Sequence, residues 1–327
     1  MVRAAQVEVP RQANLFRRRL LAWYDANKRD LPWRHNRDPY RVWLSEIMLQ
    51  QTRVAAVVDY YQRFLQRFPS VEKLASAREA SVLAAWSGLG YYRRARMLHA
   101  AAKQIVKEHN GEFPSTAAHL RALAGVGRYT SAAIASIAFG EPVAVVDGNV
   151  ERVLQRVRGK NLAGEKLWNA AEEVLSRKRP GDFNQAMMEL GATVCVPKQP
   201  KCLLCPVSRF CETRGALRPS AKATPQSKRE IHYAFQQRQG SVFLVKRSPT
   251  AALMPGMWEF PEVVGRNDET SAWMTLRHSI TVTDYLVRVI QVPPPPGQSG
   301  SWVSNDRLAK LPLTGLARKI LRTAKVI

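Results

Sequence analysis

The sequence predicts an all-α domain followed by a small α+β domain. Three observations predict it. From Asn14 to about Gly215, apolar residues recur at spacings of three and four, the period of amphipathic helices. Few stretches in that part alternate with period two. After 216–230 (ALRPSAKATPQSKRE), a polar and proline-bearing segment that reads as a linker, the pattern turns to β-rich runs. A chain of 327 residues has room for two such domains.

Taken in order, 1–13 reads as a loose tail without the apolar stretch of a secretory signal. Leu15–Trp23, Trp43–Leu65, Val82–Trp86 and Leu98–Val106 carry helical periodicity. Asp38 before Pro39 reads as an N-cap with proline at the first helical position. Ser115 and Asp182 are further candidate caps. The helical domain spans 14–215, the linker 216–230 and the second domain 231–327. In the second domain, Ser241–Val245 and Leu286–Val292 read as strands, and Asp268–Arg277 and Thr314–Lys325 as helices. Pro293–Pro296 is a stiff extended loop, and there is no internal repeat.

Composition narrows the function. With 46% hydrophobic and 23% charged residues the chain folds rather than staying disordered. No run of 18 apolar residues offers a membrane-spanning helix. Fifty Lys and Arg against 26 Asp and Glu leave +24, of which +19 falls in 1–229. A soluble intracellular protein this basic is expected to meet a polyanion, nucleic acid ahead of a membrane surface.

All four cysteines, Cys195, Cys202, Cys205 and Cys211, lie within 17 residues. In a reducing compartment disulfides are disfavoured. Four clustered thiolates imply a tetrahedral sulfur site, either zinc or an iron–sulfur cluster. Lys198 and Lys201 would then sit on a metal-pinned loop suited to phosphate. The spacing C-x6-C-x2-C-x5-C resembles the [4Fe-4S] site of the endonuclease III and MutY branch of helix-hairpin-helix DNA glycosylases, a likeness that favours iron–sulfur over zinc.

Other segments bear on the same likeness. Gly125 and Gly127, in LAGVGRYTSAAI, permit positive φ and close backbone approach. They precede a helix whose free N–H groups can meet an anion, although a plain glycine turn would read alike. With VVDGNV at 145–150, this pair resembles the superfamily's hairpin and aspartate signature. Asp147 is a candidate helix cap, and an ionised carboxylate there can also stabilise positive charge at a breaking glycosidic bond. Asn149 is its polar neighbour. Glu46, in WLSEIMLQQT, has apolar neighbours that would raise its pKa, unless it faces solvent. That segment resembles the MutY-type adenine glycosylase signature. The resemblance implies that Glu46 and Asp147 meet as a proton donor and a charge stabiliser. It also implies a monofunctional enzyme, because Tyr129 stands where lyase-competent relatives carry a Schiff-base lysine.

SGLGYYRRARM at 87–97 resembles another MutY-type motif. It implies that Tyr91, with Leu89 beside it, wedges into the base stack, and that Gln51 and Thr52 face the base opposite a flipped adenine. Arg93, Arg94 and Arg96 are phosphate contacts or a solvated basic face. Trp33 and Arg34 of LPWR would border the adenine pocket, and Glu189 of NQAMMELG would reach its edge. VFLVKRS at 242–248 and MPGMWEFP at 254–261 resemble a MutT-type Nudix fold, without the acid cluster that binds Mg²⁺. The resemblance therefore implies a non-hydrolytic domain that reads 8-oxoguanine. At Ile280-Thr281-Val282 the chain departs from the family: Thr281 keeps a hydroxyl, but the usual histidine is absent.

The resemblance thus implies a base excision repair enzyme that hydrolyses adenine from duplex DNA at A:8-oxoguanine or A:G mispairs. A monomer in the cytoplasm of a bacterial-like cell, nucleoid-associated and away from membranes, is expected. The alternatives are an endonuclease III-like glycosylase/lyase and a non-catalytic lesion-binding protein. A Nudix hydrolase is disfavoured by the missing acid cluster.

Overall fold

The computed structural model describes residues 8–215, 227–263, 272–280 and 283–327. In chain order the helices are α1 (Glu8–Asn27), α2 (Pro39–Leu49), α3 (Val54–Arg67), α4 (Val71–Ala75), α5 (Glu79–Trp86), α6 (Arg93–His109), α7 (Ala117–Leu120), α8 (Arg128–Ala138), α9 (Gly148–Val157), α10 (Gly164–Val174) and α11 (Pro180–Thr193). Then come β1 (Ser227–Ala234), β2 (Gln237–Arg238), β3 (Ser241–Lys246), β4 (Trp258–Glu259), β5 (Met274–Ile280), β6 (Thr283–Ile290), β7 (Ser301–Ser304), α12 (Asn305–Leu308) and α13 (Gly315–Thr323). Contacts gather these into two units, Met1–Gln51 with Ala101–Ala221, and Thr52–Ala100 with Lys222–Ile327.

In the first unit, α1, α9, α10 and α11 close on a core that includes Leu20, Leu154, Phe183 and Leu190. Burying each such side chain stabilises the fold by about 1.5–3 kcal/mol. Asp38 caps α2 by accepting from the N–H groups of Tyr40 and Arg41, with Pro39 at the first position. Every residue of α2 from Val42 to Met48 is buried. Ser45 and Glu46 therefore enter the interior, whereas Arg41 in the first turn keeps its side chain 44% exposed. The helix packs on α8, which is buried from Thr130 to Ile137 and built largely of Ala and Ser.

In the second unit, Phe64 of α3 meets Trp86 of α5 edge-on at 5.9 Å. The C-terminal part has two small sheets. In one, β6 lies between β1, which runs parallel to it, and antiparallel β5. In the other, β3 pairs antiparallel with β2, β4 and β7. Leu316, Ala317, Ile320 and Leu321 of α13 join their core.

Several expectations need correction. Helix α1 starts at Glu8, inside the expected tail. The expected helical run Trp43–Leu65 is two helices, broken where Gln51 takes a left-handed backbone, φ +55°. Thr116, not Ser115, caps α7. Asp182 lies inside the first turn of α11 and pairs with Arg179 at 2.8 Å. Gly125 has positive φ, +72°, but Gly127 does not; it caps α8 at φ −88°. Residues 227–230, assigned to the linker, begin β1. The described part of the expected helix Asp268–Arg277 is strand β5 from Met274 on, because Met274, Leu276, His278 and Ile280 turn inward while their neighbours are exposed. That is the period of a strand. Thr281 and Val282 lie outside the described residues.

Candidate active site

Glu46 projects from the middle of α2 and is 6% exposed. Its Oε2 accepts a hydrogen bond from the Tyr129 hydroxyl at 2.5 Å. Tyr129 lies in the first turn of α8 and also touches the Met188 sulfur of α11, at 3.5 Å. Burial pushes the Glu46 carboxyl up to about 7. The Tyr129 bond opposes that rise, the charge of Asp147 adds to it, and Arg34 opposes it. Burial, and then the charges of Glu46 and Asp147, hold the Tyr129 phenol well above its usual value. A half-protonated acid near neutrality therefore shares one interior site with a fixed hydroxyl donor.

Asp147 caps α9. Its Oδ1 accepts from the N–H groups of Asn149 at 2.9 Å and Val150 at 2.7 Å. Oδ2 accepts from the Asn149 amide at 2.9 Å. Three donors therefore converge on the Asp147 carboxylate at the helix N-terminus. Arg152 fixes Asn149 in turn, donating to its Oδ1 and to the Gly191 carbonyl, each at 2.7 Å. The chain reaches Asp147 along an extended segment held by buried Asn184, which bonds the Val145 N–H and the Val143 carbonyl.

Glu189 is fully buried and clasped by two arginines. Arg29 donates to both carboxylate oxygens, at 2.6 and 2.8 Å, and Arg34 to one at 2.8 Å. These cations hold its carboxyl below the ordinary value despite burial. Trp33 is buried beside Arg34 in a 3-10 turn. Arg34 lies over the Tyr24 ring, 5.5 Å from its centroid.

The residues expected to face DNA differ in setting. Gln51 is exposed, and Thr52 is half-buried. Tyr91 is 46% exposed on a left-handed backbone, φ +49°, while Leu89 beside it is buried. Of the three arginines, Arg93 is exposed. Arg94 is no solvated face: it lies over the Trp86 and Tyr91 rings, bonds Thr52 Oγ1 and the Gly90 carbonyl, and burial pushes its guanidinium down to about 10. Arg96 pairs with Glu79 and bonds the Pro255 carbonyl. A side chain on Gly127 would meet open space, leaving the start of α8 accessible.

The four cysteines are half-buried thiols on one loop. Burial pushes the Cys205 thiol up to about 11, and Cys195, Cys211 and Cys202 add to the rise. Among the described residues no three His, Cys, Asp or Glu side chains already form a metal-ion pocket. The donor set itself, four soft sulfurs within mutual electrostatic reach, fits an iron–sulfur cluster or zinc. Buried Arg156 clasps the start of the loop through the carbonyls of Cys195, Val196 and Pro197. Lys198 and Lys201 are exposed on it.

Sequence reasoning missed Arg29, Arg152, Arg156, Asn184 and Gly191. A Cβ on Gly191 would come within 2.5 Å of the Asn149 Cβ, so only glycine lets α11 approach Asn149 this closely. Asn184 and Gly191 open and close the segment NQAMMELG, which was the legible signal for both. Single arginines do not stand out in a chain with 50 basic residues.

Comparison with known proteins agrees with this geometry. Residues 44–177 match the HhH-GPD superfamily of base excision DNA repair proteins. The chain is 44% identical over 306 residues to an adenine DNA glycosylase of Mus musculus, covering 88% of this chain and 59% of the relative. It is 35% identical to an adenine DNA glycosylase of Buchnera aphidicola, covering 78% of this chain and 75% of the relative. Among solved structures, a thermostable thymine-DNA glycosylase superposes with a TM-score of 0.59 at 31% identity, over 63% of this chain and 97% of that one. The chain spans about three fifths of the length of the mammalian relative.

Proposed function

The chain belongs to the adenine DNA glycosylase family of HhH-GPD base excision DNA repair proteins, and from that premise we propose that it removes adenine from duplex DNA by hydrolysing the N-glycosidic bond. One observation carries this reading. Buried Glu46 and half-buried Tyr129 and Asp147, spread over 101 residues of chain, act on one another. Glu46, protonated at pH values up to about 7, donates to a ring nitrogen of the extruded base. Tyr129 holds that carboxyl by its hydroxyl and offers no amine for a Schiff base. Asp147, held in place by the cap and by Asn149, stabilises the oxocarbenium-like sugar as the bond breaks. Water completes the reaction, leaving an abasic site and an intact strand.

The proposed substrate is adenine opposite 8-oxoguanine or guanine. Tyr91 enters the stack beside Leu89, and Gln51 and Thr52 face the opposite base. Trp33, Arg34 and Glu189 border the adenine pocket. Gly125, Gly127, Lys198 and Lys201 meet phosphate, in keeping with the net charge of +24. Recognition of 8-oxoguanine falls to the C-terminal part, with Thr281 as its hydroxyl. The four cysteines would hold a [4Fe-4S] cluster that pins the loop carrying the lysines. Iron and sulfide in equal amounts on anaerobically purified protein would support the cluster, and a single zinc would remove it. The reading extends to a monomer acting on nucleoid DNA in the cytoplasm. The test is a single-turnover assay on duplexes carrying A opposite 8-oxoguanine, G, C or T. Release at the first two, with no strand nicking before alkali, is expected. Equal rates on all four, or release of a pyrimidine instead, would overturn the reading.

A further inference from the structure

The segment joining α5 to α6 reads Ser87-Gly-Leu-Gly-Tyr-Tyr92. Three of its residues are left-handed: Gly88 at φ +105°, Gly90 at +73° and Tyr91 at +49°. Glycine takes such a backbone freely, but tyrosine resists it. A strained turn that leaves an aromatic exposed at its tip persists only if its surroundings hold it.

What holds it comes largely from the C-terminal part of the same unit. Ser87 Oγ donates to the Leu313 carbonyl at 2.8 Å, and the Tyr92 hydroxyl donates to that same carbonyl at 3.1 Å. Tyr92 also accepts the Gly88 N–H at 3.2 Å, and Arg318 Nε donates to Ser87 Oγ at 3.1 Å. Ser87, Tyr92 and Leu313 are buried, so water does not substitute for these bonds. The direction of the Leu313 carbonyl is set elsewhere. Leu313 bridges to Trp258 of β4, whose N–H bonds the Pro312 carbonyl and whose carbonyl takes the Thr314 N–H. Thr314 caps α13 through the Ala317 N–H. Strand β4 and helix α13 therefore aim one acceptor at the turn, while Tyr91 stays 46% exposed.

We propose that Ser87 and Tyr92 are positioning residues through which the C-terminal segment 313–318 holds Tyr91 in the conformation that enters the base stack. The C-terminal part then sets duplex affinity, in addition to any choice of opposite base. This rests on the reading of Tyr91 as the inserted aromatic.

The experiment uses the full chain and an adenine-mispair duplex, measuring the dissociation constant, the single-turnover rate at saturating DNA and the melting temperature. The variants are Tyr92→Phe, Arg318→Gln, Tyr91→Ala and the Tyr91→Ala/Tyr92→Phe pair. Tyr92→Phe keeps the ring and loses the hydroxyl, and should weaken binding about threefold to tenfold with the saturated rate unchanged. Arg318→Gln should shift binding the same way, which guards against misfolding of one variant. In the Tyr91→Ala background, Tyr92→Phe should add nothing, because the residue it positions is gone. A general structural role would instead weaken binding equally in both backgrounds, and that result overturns the proposal. If Tyr91→Ala weakens binding while Tyr92→Phe and Arg318→Gln do not, the positioning fails and the insertion reading stands. If Tyr91→Ala binds like the parent, the insertion reading falls and takes the proposal with it.

Discussion

Gln51 and Tyr91, both exposed and both assigned to contact with the bases of the duplex, sit on left-handed backbone. Each such non-glycine residue costs about 1–2 kcal/mol. Strain of this kind collects where geometry serves binding rather than stability. Gln51→Gly should therefore melt no lower than the parent yet bind duplex more weakly; a lower melting temperature with unchanged binding would contradict this. Glu46 obeys the opposite bookkeeping. In the unfolded chain its carboxyl ionises near 4.5, but in the fold it holds its proton to about 7. Between those values the unfolded state binds fewer protons, so this group's contribution to stability falls as pH rises through the window and is flat above it. Glu46→Gln should gain on the parent in melting temperature between pH 4 and 8, while adenine release is lost. In the parent, the rate should fall as pH rises through about 7. Asp147→Asn keeps a side chain able to cap α9 and removes the charge. Its fold and DNA binding should survive while release is lost, and near-normal single-turnover rates would end the assignment.

At the scale of elements, the site is a matter of spacing between α9 and α11. Gly191→Ala would set a methyl within 2.5 Å of the Asn149 Cβ and 2.9 Å of its Cα. The neighbour is backbone as well as side chain, so the helices must part. Overpacking of this sort costs about 1–3 kcal/mol. Because the displaced residue orients Asp147, the rate should drop more than the melting temperature suggests. An ordinary rate with a normal melting curve would show that the contact relaxes freely. Helix α2 makes the complementary point. Burial of the stretch Val42–Met48 is what moves Glu46 toward neutrality, and a half-exposed position would leave an ordinary acidic carboxyl.

On the scale of the molecule, a fragment ending at residue 229 holds Glu46, Asp147 and +19 of the charge. Yet Thr52–Ala100 belongs with Lys222–Ile327, so the cut removes much of the unit that contains Leu89 and Tyr91. Such a fragment should bind duplex more weakly than the full chain at equal salt. Binding by the full chain should fall steeply with salt, as counterions released by phosphate contact predict. Equal affinity of fragment and full chain in a salt titration would refute the role of the C-terminal part in binding.

The sequence by itself determined the class of the two halves, the Asp38 cap, strand β3, helix α13, the cysteine group and the identity of the two carboxylates. These are written in spacings of two to four residues, or in motifs of about ten, and local rules of helix and strand act over that range. The alternation that makes β5 a strand is also legible in Met274–Ile280, and it contradicts a helix there. Tertiary structure alone decided that Glu46 meets Tyr129 across 83 residues and that Arg29 grips Glu189 across 160. It also decided that a glycine of α11 admits Asn149, and that residues 52–100 join the C-terminal part. Burial and ion pairing depend on which surfaces the chain brings together, and no window of neighbouring residues contains that choice. One arginine among many looks the same in sequence whether it lies in water or clasps a buried carboxylate; desolvation and distance, set by the fold, give each its role.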